Sequence, residues 1–382
     1  MTRLLEGVRV IESAAVITGP FAGMMLADMG ADVIKVEPPA GDQFRRWESD
    51  EVGVLPTFAA YNRGKRSIQV DLKSETGREL YERLVASADV VIENFRPGAM
   101  DKLGLGYEQL KERHPKLVYC HISGLGTTGP DRDKATFDAV AQAMSGLWSQ
   151  LTDLSDPEPV GPPFADQLTA TYAVMGVLAA LQRRHVTGLG TKVETNMLAS
   201  CLAFQAPSVA SLTHDGDVAT KTSRARQSQS YAFVAGDGLP FAVHLSTPKK
   251  FWAGLCQATG MPELVDDPRY DTKPKRMAAY DELHETFDKV VRGQPRQYWL
   301  DRLEAQDVPC APILTVDETV NHPQVVSNGL VESMDAEQGL AGLVKSPLRV
   351  DGQHLAAARP APRLGAGADS VLEEIGWDRG TA

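Results

Sequence analysis

The sequence predicts an α/β protein built on a parallel sheet, with a smaller α+β domain in its second half. Short β-branched runs alternate with helical stretches through the first 125 residues, a rhythm typical of parallel strands joined by crossover helices. A polar stretch, 214–230, separates this part from a second block of strands and helices. The chain has 382 residues, 43% of them hydrophobic, which is enough to bury a large core in two domains.

Five segments of the first block have the composition and length of strands. Their regular alternation with helical segments predicts a Rossmann-like arrangement. The predicted strands are Val8–Ile11, Val33–Val36, Ser67–Leu72, Val90–Glu93 and Leu117–Ile122.

Apolar positions recur at helical spacing between these strands. They predict helices at Phe21–Met29 and Thr76–Ser87, with Ser74 as a cap and Gly30 as a stop. The longest predicted helix is Gln167–Arg184, whose terminal arginines favour the negative end of the helix dipole.

The second block predicts a small sheet that begins at Tyr231, and helices at Phe251–Thr259 and Tyr280–Val291. A final short helix at Ser370–Ile375 is expected to return to the first domain. The predicted division is a large domain of 1–205 with 335–382, a linker of 206–230, a small α+β domain of 231–312, and a second linker of 313–334.

Composition excludes several classes of function. The formal charge of −11 is spread over interspersed acidic and basic residues, so a nucleic acid partner is not expected. No apolar run has the length of a signal peptide or a membrane span, so we expect a cytoplasmic protein without a membrane partner. The cysteines lie far apart without a CxxC pair, which argues against a metal knot or a disulfide framework: Cys120, Cys201, Cys256 and Cys310.

One motif suggests a dinucleotide. Gly124–Gly129 reads as G-x-G-x-x-G directly after a predicted strand. The NAD fingerprint requires its third glycine inside a helix that packs on the sheet, whereas Gly129 is followed by the polar segment Pro130–Lys134. We therefore do not expect NAD.

Lysine and arginine residues cluster where the predicted strands end. Any one of these side chains is typical of a solvated surface. Their repeated placement at one sheet edge, however, suits a ligand with several phosphates, such as coenzyme A. The residues are Arg45 and Arg46 after strand two, Arg63, Lys65 and Arg66 before strand three, and Arg96 and Lys102 after strand four.

Asp166 places a carboxylate where an irregular segment meets the longest predicted helix. A carboxylate there is typical of a helix N-cap that satisfies free backbone amides. The same residue is also a candidate nucleophile for acyl chemistry, because helix-start hydrogen bonds would keep it ionised with a low pKa.

The combined motifs resemble those of the family III CoA-transferases, which include formyl-CoA and carnitine CoA-transferases and the related α-methylacyl-CoA racemases. The resemblance covers the first half of the chain closely and the second half, with 237–238 and 308–312, more loosely. It depends on Gly30–Pro38, Asn62–Ser67, Glu93–Gly98, Ser123–Pro130, Phe137–Gln142, Ala165–Asp166 and Thr187–Val193.

This resemblance implies that Asp166 is the catalytic aspartate, which passes coenzyme A from a thioester to a free acid through a mixed anhydride and an aspartyl thioester. It further implies a homodimer of two interlocked ring-like chains, with acyl-CoA and carboxylic acids as substrates. With the cations above, it implies a CoA-binding set of Arg45, Lys65, Arg66, Asn94, Phe95, Arg96 and Lys102.

Racemisation at the α-carbon of an acyl-CoA is the alternative within the family, and it needs two groups that exchange a proton. The racemases carry a histidine where this chain has Phe137, which favours the transferase. Asp138 is a candidate auxiliary acid, and a capping role for it is equally compatible with the sequence. Ile17 stands at the place of a catalytic glutamine of formyl-CoA transferase, so formyl-CoA and oxalate are not the expected substrates.

Overall fold

The computed structural model describes residues 3–47, 49, 51–246, 248–332, 343–355 and 359–378. Its principal sheet has six strands in the order β3-β2-β1-β4-β5-β6, all parallel. This is the doubly wound order in which the chain reverses direction between β1 and β4. The strands are β1 (Arg9–Ser13), β2 (Asp32–Glu37), β3 (Arg66–Gln69), β4 (Val90–Glu93), β5 (Val118–Ser123) and β6 (Lys192–Asn196).

Helices connect these strands and make up much of the second half of the chain. They are α1 (Thr18–Asp28), α2 (Pro56–Asn62), α3 (Glu75–Ala86), α4 (Ala99–Lys102), α5 (Tyr107–Arg113), α6 (Asp138–Met144), α7 (Phe164–Thr187), α8 (Met197–Phe204), α9 (Ala206–Asp215), α10 (Ser223–Ser228), α11 (Lys249–Ala258), α12 (Lys273–Ala278), α13 (Tyr280–Val291), α14 (Arg296–Ala305), α15 (Val316–Val320), α16 (Pro323–Ser327) and α17 (Ala368–Glu374).

Two hydrophobic cores cover the faces of the six-stranded sheet. On one face α1 and α7 pack together, and small side chains such as Ala22, Ala170 and Ala173 allow their close approach. The other face is covered by α3, α5 and α17 through residues such as Tyr81 and Leu110. The sheet is therefore buried on both sides, as parallel sheets usually are.

The five predicted strands of this sheet are confirmed to within a few residues, and β4 has the predicted bounds. Ser74 is confirmed as the cap of α3, because its hydroxyl accepts a hydrogen bond from the Gly77 amide at 2.9 Å. The sixth strand, β6, was missed, because its polar sequence KVETN lies at the sheet edge and lacks the hydrophobic run that identifies the others. The Gly124–Gly129 loop leads into an irregular segment, and the next helix along the chain, α6, begins only at Asp138.

The chain divides into two compact units, each with its own core. The first comprises 1–147, 161–206 and 326–382, and the second comprises 148–160 and 207–325. The segments predicted as linkers contain helices, α9 and α10 in one and α15 and α16 in the other. The predicted domain start at 335 lies outside the described residues.

The second unit contains an antiparallel sheet of β7 (Ser230–Val234), β8 (Pro240–His244) and β9 (Cys310–Pro312), in that order. Helices α11, α13 and α14 pack with it around residues such as Trp252 and Phe287.

The first unit also carries two short two-stranded antiparallel sheets. One pairs β10 (Val331–Glu332) with β11 (Leu343–Val344), and the other pairs β12 (Arg349–Val350) with β13 (Gln353–His354).

Among the described residues, α7 alone has the length and apolar composition that would allow it to cross a membrane. It packs against α1, β5 and β6 of the first unit. Eight of its 24 residues are buried, including Ala173 and Val177 at the sheet. Its buried face belongs to the core of the first unit.

Candidate active site

A cleft of about 450 Å³ opens at the carboxyl ends of β1 and β4, where the strand order reverses. This is the position at which doubly wound sheets bind ligands. We call it the Asp166 cleft. Its lining is Ser13, Ala14, Ala15, Val16, Thr18, Val36, Pro38, Gly41, Asp42, Gln43, Asn94, Phe95, Arg96, Ile122, Ser123, Gly124, Thr136, Phe137, Asp166 and Met197.

Asp166 lies in the first turn of α7, as the third residue of the helix. The N-cap position belongs to Pro163, so the alternative in which Asp166 caps the helix is wrong. The Asp166 side chain turns instead to α1, where the Thr18 hydroxyl donates a hydrogen bond to Asp166 Oδ1. No described residue donates to the second oxygen, Oδ2. A reactive oxygen is thus available at the cleft.

Burial raises the pKa of Asp166 to about 6, since the charged carboxylate is 6% exposed and no cation of the described residues pairs with it. The Thr18 hydrogen bond opposes this rise, and the negative charge of Asp138 adds to it. The expectation of a low pKa is therefore wrong, because loss of water outweighs the favourable end of the helix. At neutral pH the carboxylate is ionised and poorly solvated, which suits a nucleophile.

Asp138 lies beside Asp166, in the first turn of α6. Its Oδ1 accepts a hydrogen bond from the Asp166 amide at 3.2 Å, and its Oδ2 accepts one from Gln142 Nε2 at 2.5 Å. Asp138 therefore ties the start of α7 to α6. The neighbouring Phe137, at the position of the racemases' histidine, is 62% exposed and lines the cleft.

The turn between β1 and α1 is held in an unusual conformation. Val16 has φ of +71°, which is rare and strained for a β-branched residue. Asp42 Oδ1 accepts a hydrogen bond from the Val16 amide at 3.3 Å, and the Asn94 side chain both donates to and accepts from the backbone of Ala15. Gly19 is required here, because an added Cβ would lie 2.2 Å from the Cβ of Ala14.

Three cations predicted to bind CoA lie inside the fold and do not line the cleft. Arg45 makes two hydrogen bonds of 2.7 Å to Glu37, and Arg66 bonds to Asp32 and Glu374. Lys65 is 1% exposed and lies 2.6 Å from Glu12 Oε2. Arg45 follows β2, whereas Lys65 and Arg66 lie at the start of β3, and all three are paired with acids of β1, β2 or α17.

Glu12 and Lys35 form the centre of this buried charge network. Lys35 Nζ lies 3.0 Å from Glu12 Oε1 and 2.8 Å from Asp42 Oδ2, and it donates to the Ala14 carbonyl at 2.9 Å. The carboxylates raise the pKa of Lys35 against the effect of burial, whereas burial lowers the pKa of Lys65 to about 7. The network therefore holds the turn between β1 and α1, which lines the cleft, through the backbone of Ala14 and Val16.

The remaining predicted CoA ligands divide into two groups. Asn94, Phe95 and Arg96 line the cleft, with Phe95 39% exposed and Arg96 exposed. The amide of Asn94 is already engaged by Ala15, so it shapes the turn. Lys102 is exposed on α4 and is not among the residues that line the cleft.

Two cations of the site were missed in the sequence. Arg132 and Lys134 line a recess that adjoins the cleft and shares Arg96 and Phe95 with it. Both follow the glycine-rich loop, and their side chains are 56% and 62% exposed. The signal in the sequence is the polar segment 130–134, which carries both cations directly after the glycine-rich loop.

Several other side chains of reactive or aromatic type are held within the fold. His121 is 4% exposed, and its Nδ1 lies 2.5 Å from Glu93 Oε1. His244 lies in the second unit with its Nδ1 2.7 Å from Ser230 Oγ, and Trp252 is buried in that unit's core. Burial raises the thiol pKa of Cys120 and Cys256 to about 12. The described residues contain no group of three His, Cys, Asp or Glu side chains placed to hold a metal ion.

Comparison with known proteins shows the family to which the chain belongs. The model of CoA-transferase family III matches residues 5–368. A succinate–glutarate CoA-transferase of Agrobacterium fabrum is 37% identical, with 97% of this chain and 95% of that protein covered. A succinyl-CoA:glutarate CoA-transferase of Homo sapiens is 35% identical, with 97% and 86% covered.

An acetyl-CoA:oxalate CoA-transferase of Acetobacter aceti is 33% identical over 94% of this chain and 92% of its own length. Among solved structures, a CAIB/BAIF family protein from Brucella suis superposes with a TM-score of 0.85 at 32% identity, covering 98% of this chain and all of the other. The chain belongs to CoA-transferase family III and is an acyl-CoA:carboxylate CoA-transferase.

Proposed function

We propose that this CoA-transferase carries coenzyme A on Asp166. The observation that supports this is the state of that carboxylate: it is buried, lacks a cationic partner, and presents Oδ2 without a donor among the described residues at a cleft on the sheet's switch point. A structural carboxylate of this burial would normally be paired.

The transfer conserves the energy of the thioester in four displacements. Asp166 Oδ2 attacks the carbonyl carbon of the donor thioester, the C–S bond breaks, and CoA leaves as the thiolate. The thiolate attacks Cγ of Asp166, the Cγ–Oδ2 bond breaks, and the donor acid leaves as its carboxylate. The acceptor carboxylate then attacks Cγ and expels the thiolate. The thiolate finally attacks the acceptor carbonyl carbon and releases the Asp166 carboxylate.

We propose that the phosphates of CoA contact Arg96, Arg132 and Lys134, and that Phe95 packs against an apolar part of the carrier. The exposed cations at the cleft and its adjoining recess support this, because charge-assisted hydrogen bonds to phosphate favour such side chains. Arg132→Ala should raise the KM for acyl-CoA with little change in kcat. The matched control is Lys116→Ala, an exposed lysine before β5 at the opposite edge of the sheet.

The relatives suggest where to look for the substrates. Succinyl-CoA is named as the donor in several of them, with glutarate, D-citramalate or mesaconate as the acceptor. We propose succinyl-CoA as the donor, with a dicarboxylic acid as the acceptor. A panel of acyl-CoA donors and carboxylic acids tests this, and transfer from acetyl-CoA alone would contradict it.

The covalent proposal is tested by trapping. The enzyme is incubated with a reactive acyl-CoA, treated with hydroxylamine or borohydride, and digested for mass spectrometry. We expect modification at Asp166 and none in Asp166→Asn. Modification at another residue, or full turnover by Asp166→Asn, would overturn the proposal. Loss of the α-proton of the donor into deuterated water without transfer would support the racemase instead.

We further propose that the chain works as a cytoplasmic homodimer, interlocked as in the family it belongs to. Apolar side chains on the exterior of α7, α8 and α9 support an interface, for example Met175, Phe204 and Leu212, which are 58%, 55% and 49% exposed. Light scattering on the purified protein should give twice the mass of the chain. A monomeric mass at assay concentration would contradict the dimer.

A further inference from the structure

We propose that Thr18 is a second catalytic residue, which selects the attacking oxygen of Asp166 and stabilises the negative charge on the other oxygen during transfer. This inference rests on the function proposed for Asp166. It concerns a residue of α1 that lies 148 positions away in the sequence and that the family resemblance did not indicate.

The fold holds Thr18 in a buried position beside the Asp166 carboxylate. It is the first residue of α1, and its hydroxyl donates to Asp166 Oδ1. Thr18 is 1% exposed although it lines the cleft, so water cannot readily replace this hydrogen bond. Its β-branched side chain has few rotamers, and α1 is packed against α7. The donor is therefore fixed before any substrate arrives.

The displacements assign different fates to the two oxygens. Oδ2 forms the anhydride bond and departs with the donor acid, whereas Oδ1 remains bonded to Cγ. When the thiolate attacks Cγ of the anhydride, the negative charge develops on Oδ1. The acceptor's attack on the aspartyl thioester places charge on the same atom. A preorganised donor at Oδ1 then acts in the manner of an oxyanion hole.

The same hydrogen bond acts on the resting enzyme. It stabilises the ionised form of Asp166 and opposes the rise in pKa that burial causes. Thr18 therefore favours the nucleophilic state before attack and the charged intermediates after it. Both effects require the hydroxyl, and neither requires the methyl group.

Three variants separate the hydroxyl from the shape of the side chain. Thr18→Val removes the hydroxyl and keeps the shape, Thr18→Ser keeps the hydroxyl, and Thr18→Ala removes both hydroxyl and methyl. In Thr18→Val we expect kcat to fall by about 10²-fold, the loss typical of one oxyanion donor, and the acid limb of the pH profile to move to higher pH. Thr18→Ser should retain most of the wild-type kcat and its pH profile.

Trapping of the Asp166 adduct, measured beside kinetics, distinguishes the two proposals. If Asp166 is modified in the wild type while Thr18→Val keeps wild-type kcat and pH profile, the role of Thr18 is overturned and that of Asp166 stands. If Thr18→Ser is as slow as Thr18→Val, the side-chain shape matters and the hydroxyl proposal is again overturned. If Asp166 is never modified, both proposals fall.

Discussion

The first unit buries carboxylates in two different ways, within one sheet and its connecting helices. Glu12 is 0% exposed and lies between two lysines, with Lys35 Nζ at 3.0 Å and Lys65 Nζ at 2.6 Å. Asp166 is 6% exposed, and its neighbours in the described part of the chain are a hydroxyl and a second carboxylate, without a cation. The two acids thus have similar burial and opposite electrostatic surroundings.

The difference shows how burial is used in each place. The attraction of its partners offsets much of the desolvation cost of a paired buried carboxylate, and its removal leaves uncompensated cations. An unpaired one is costly to keep ionised, and that cost is reflected in a raised pKa. We therefore expect substitution of Glu12 to damage the fold and substitution of Asp166 to damage the chemistry.

The largest expected effect is on turnover in Asp166→Asn. The amide keeps the size of the side chain and its hydrogen-bond acceptor, but it is not a nucleophile, so kcat should fall by about 10⁴-fold or more. Asp138→Asn is the matched control and should lose far less activity, because its contacts are to an amide and to Gln142. Equal losses in the two variants would contradict the distinction between nucleophile and neighbour.

The next effect is on stability, in Glu12→Gln. Removal of this charge leaves Lys35 and Lys65 close together inside the protein, and breaking such a buried pair costs about 3 to 5 kcal/mol of the free energy of unfolding. Urea unfolding at neutral pH measures the loss. Glu108→Gln is the control, since its pair with Lys111 is exposed to solvent and contributes little to stability. Similar stabilities would show that the network is dispensable.

The sheet itself was predictable because hydrophobic runs and helical periodicity report it directly. The apolar run Val90–Val91–Ile92 predicts a buried strand, and it lies in β4, which has the predicted bounds. β6 was not predictable in this way, because Lys192 and Glu194 give it the composition of a surface segment. Its place depends on backbone pairing with β5, which the pattern does not encode.

The site was predictable only in part. The family motifs pointed to Asp166, Asn94 and Phe95, and the end of a predicted strand pointed to Arg96; these four residues line the cleft. Sequence could not show that Lys65 is paired, because Glu12 lies on β1 and only the folded sheet brings the two together. Arg45 pairs with Glu37 eight positions earlier, through the conformation of the segment that follows β2. Thr18 was not predictable either, because its partner Asp166 lies 148 positions away and is brought to it only by the packing of α1 against α7.

A smaller effect is expected on the stability of Asp166→Asn, with the opposite sign to that of Glu12→Gln. The folded-state pKa of Asp166 is about 6, above the usual value near 4, so at pH 8 ionised Asp166 opposes folding. The amide removes this, and we expect the free energy of unfolding to rise by about 3 kcal/mol at pH 8.

Because the folded-state pKa of Asp166 is raised, the added stability of Asp166→Asn depends on pH. The wild type regains its stability as pH falls from the folded-state pKa toward the unfolded-state value, so the gain should shrink between about pH 6 and pH 4 and vanish below that. Unfolding titrations across this range measure it. A stability difference that is independent of pH would indicate altered packing and would contradict an ionised, unpaired carboxylate.

The smallest expected effect is on the pH dependence of activity in Asp138→Asn, because the charge of Asp138 raises the pKa of Asp166. The acid limb of kcat/KM should have its midpoint near pH 6, because protonated Asp166 does not attack. Asp138→Asn removes a like charge while keeping an acceptor for the Asp166 amide, so the midpoint should move to lower pH by a fraction of a unit. Glu112→Gln, an exposed acid on α5, should leave the midpoint unchanged. A midpoint that moves upward in Asp138→Asn would mean that Asp138 holds Asp166 in a hydrogen-bonded, ionised state, and the two carboxylates would then act as a coupled pair.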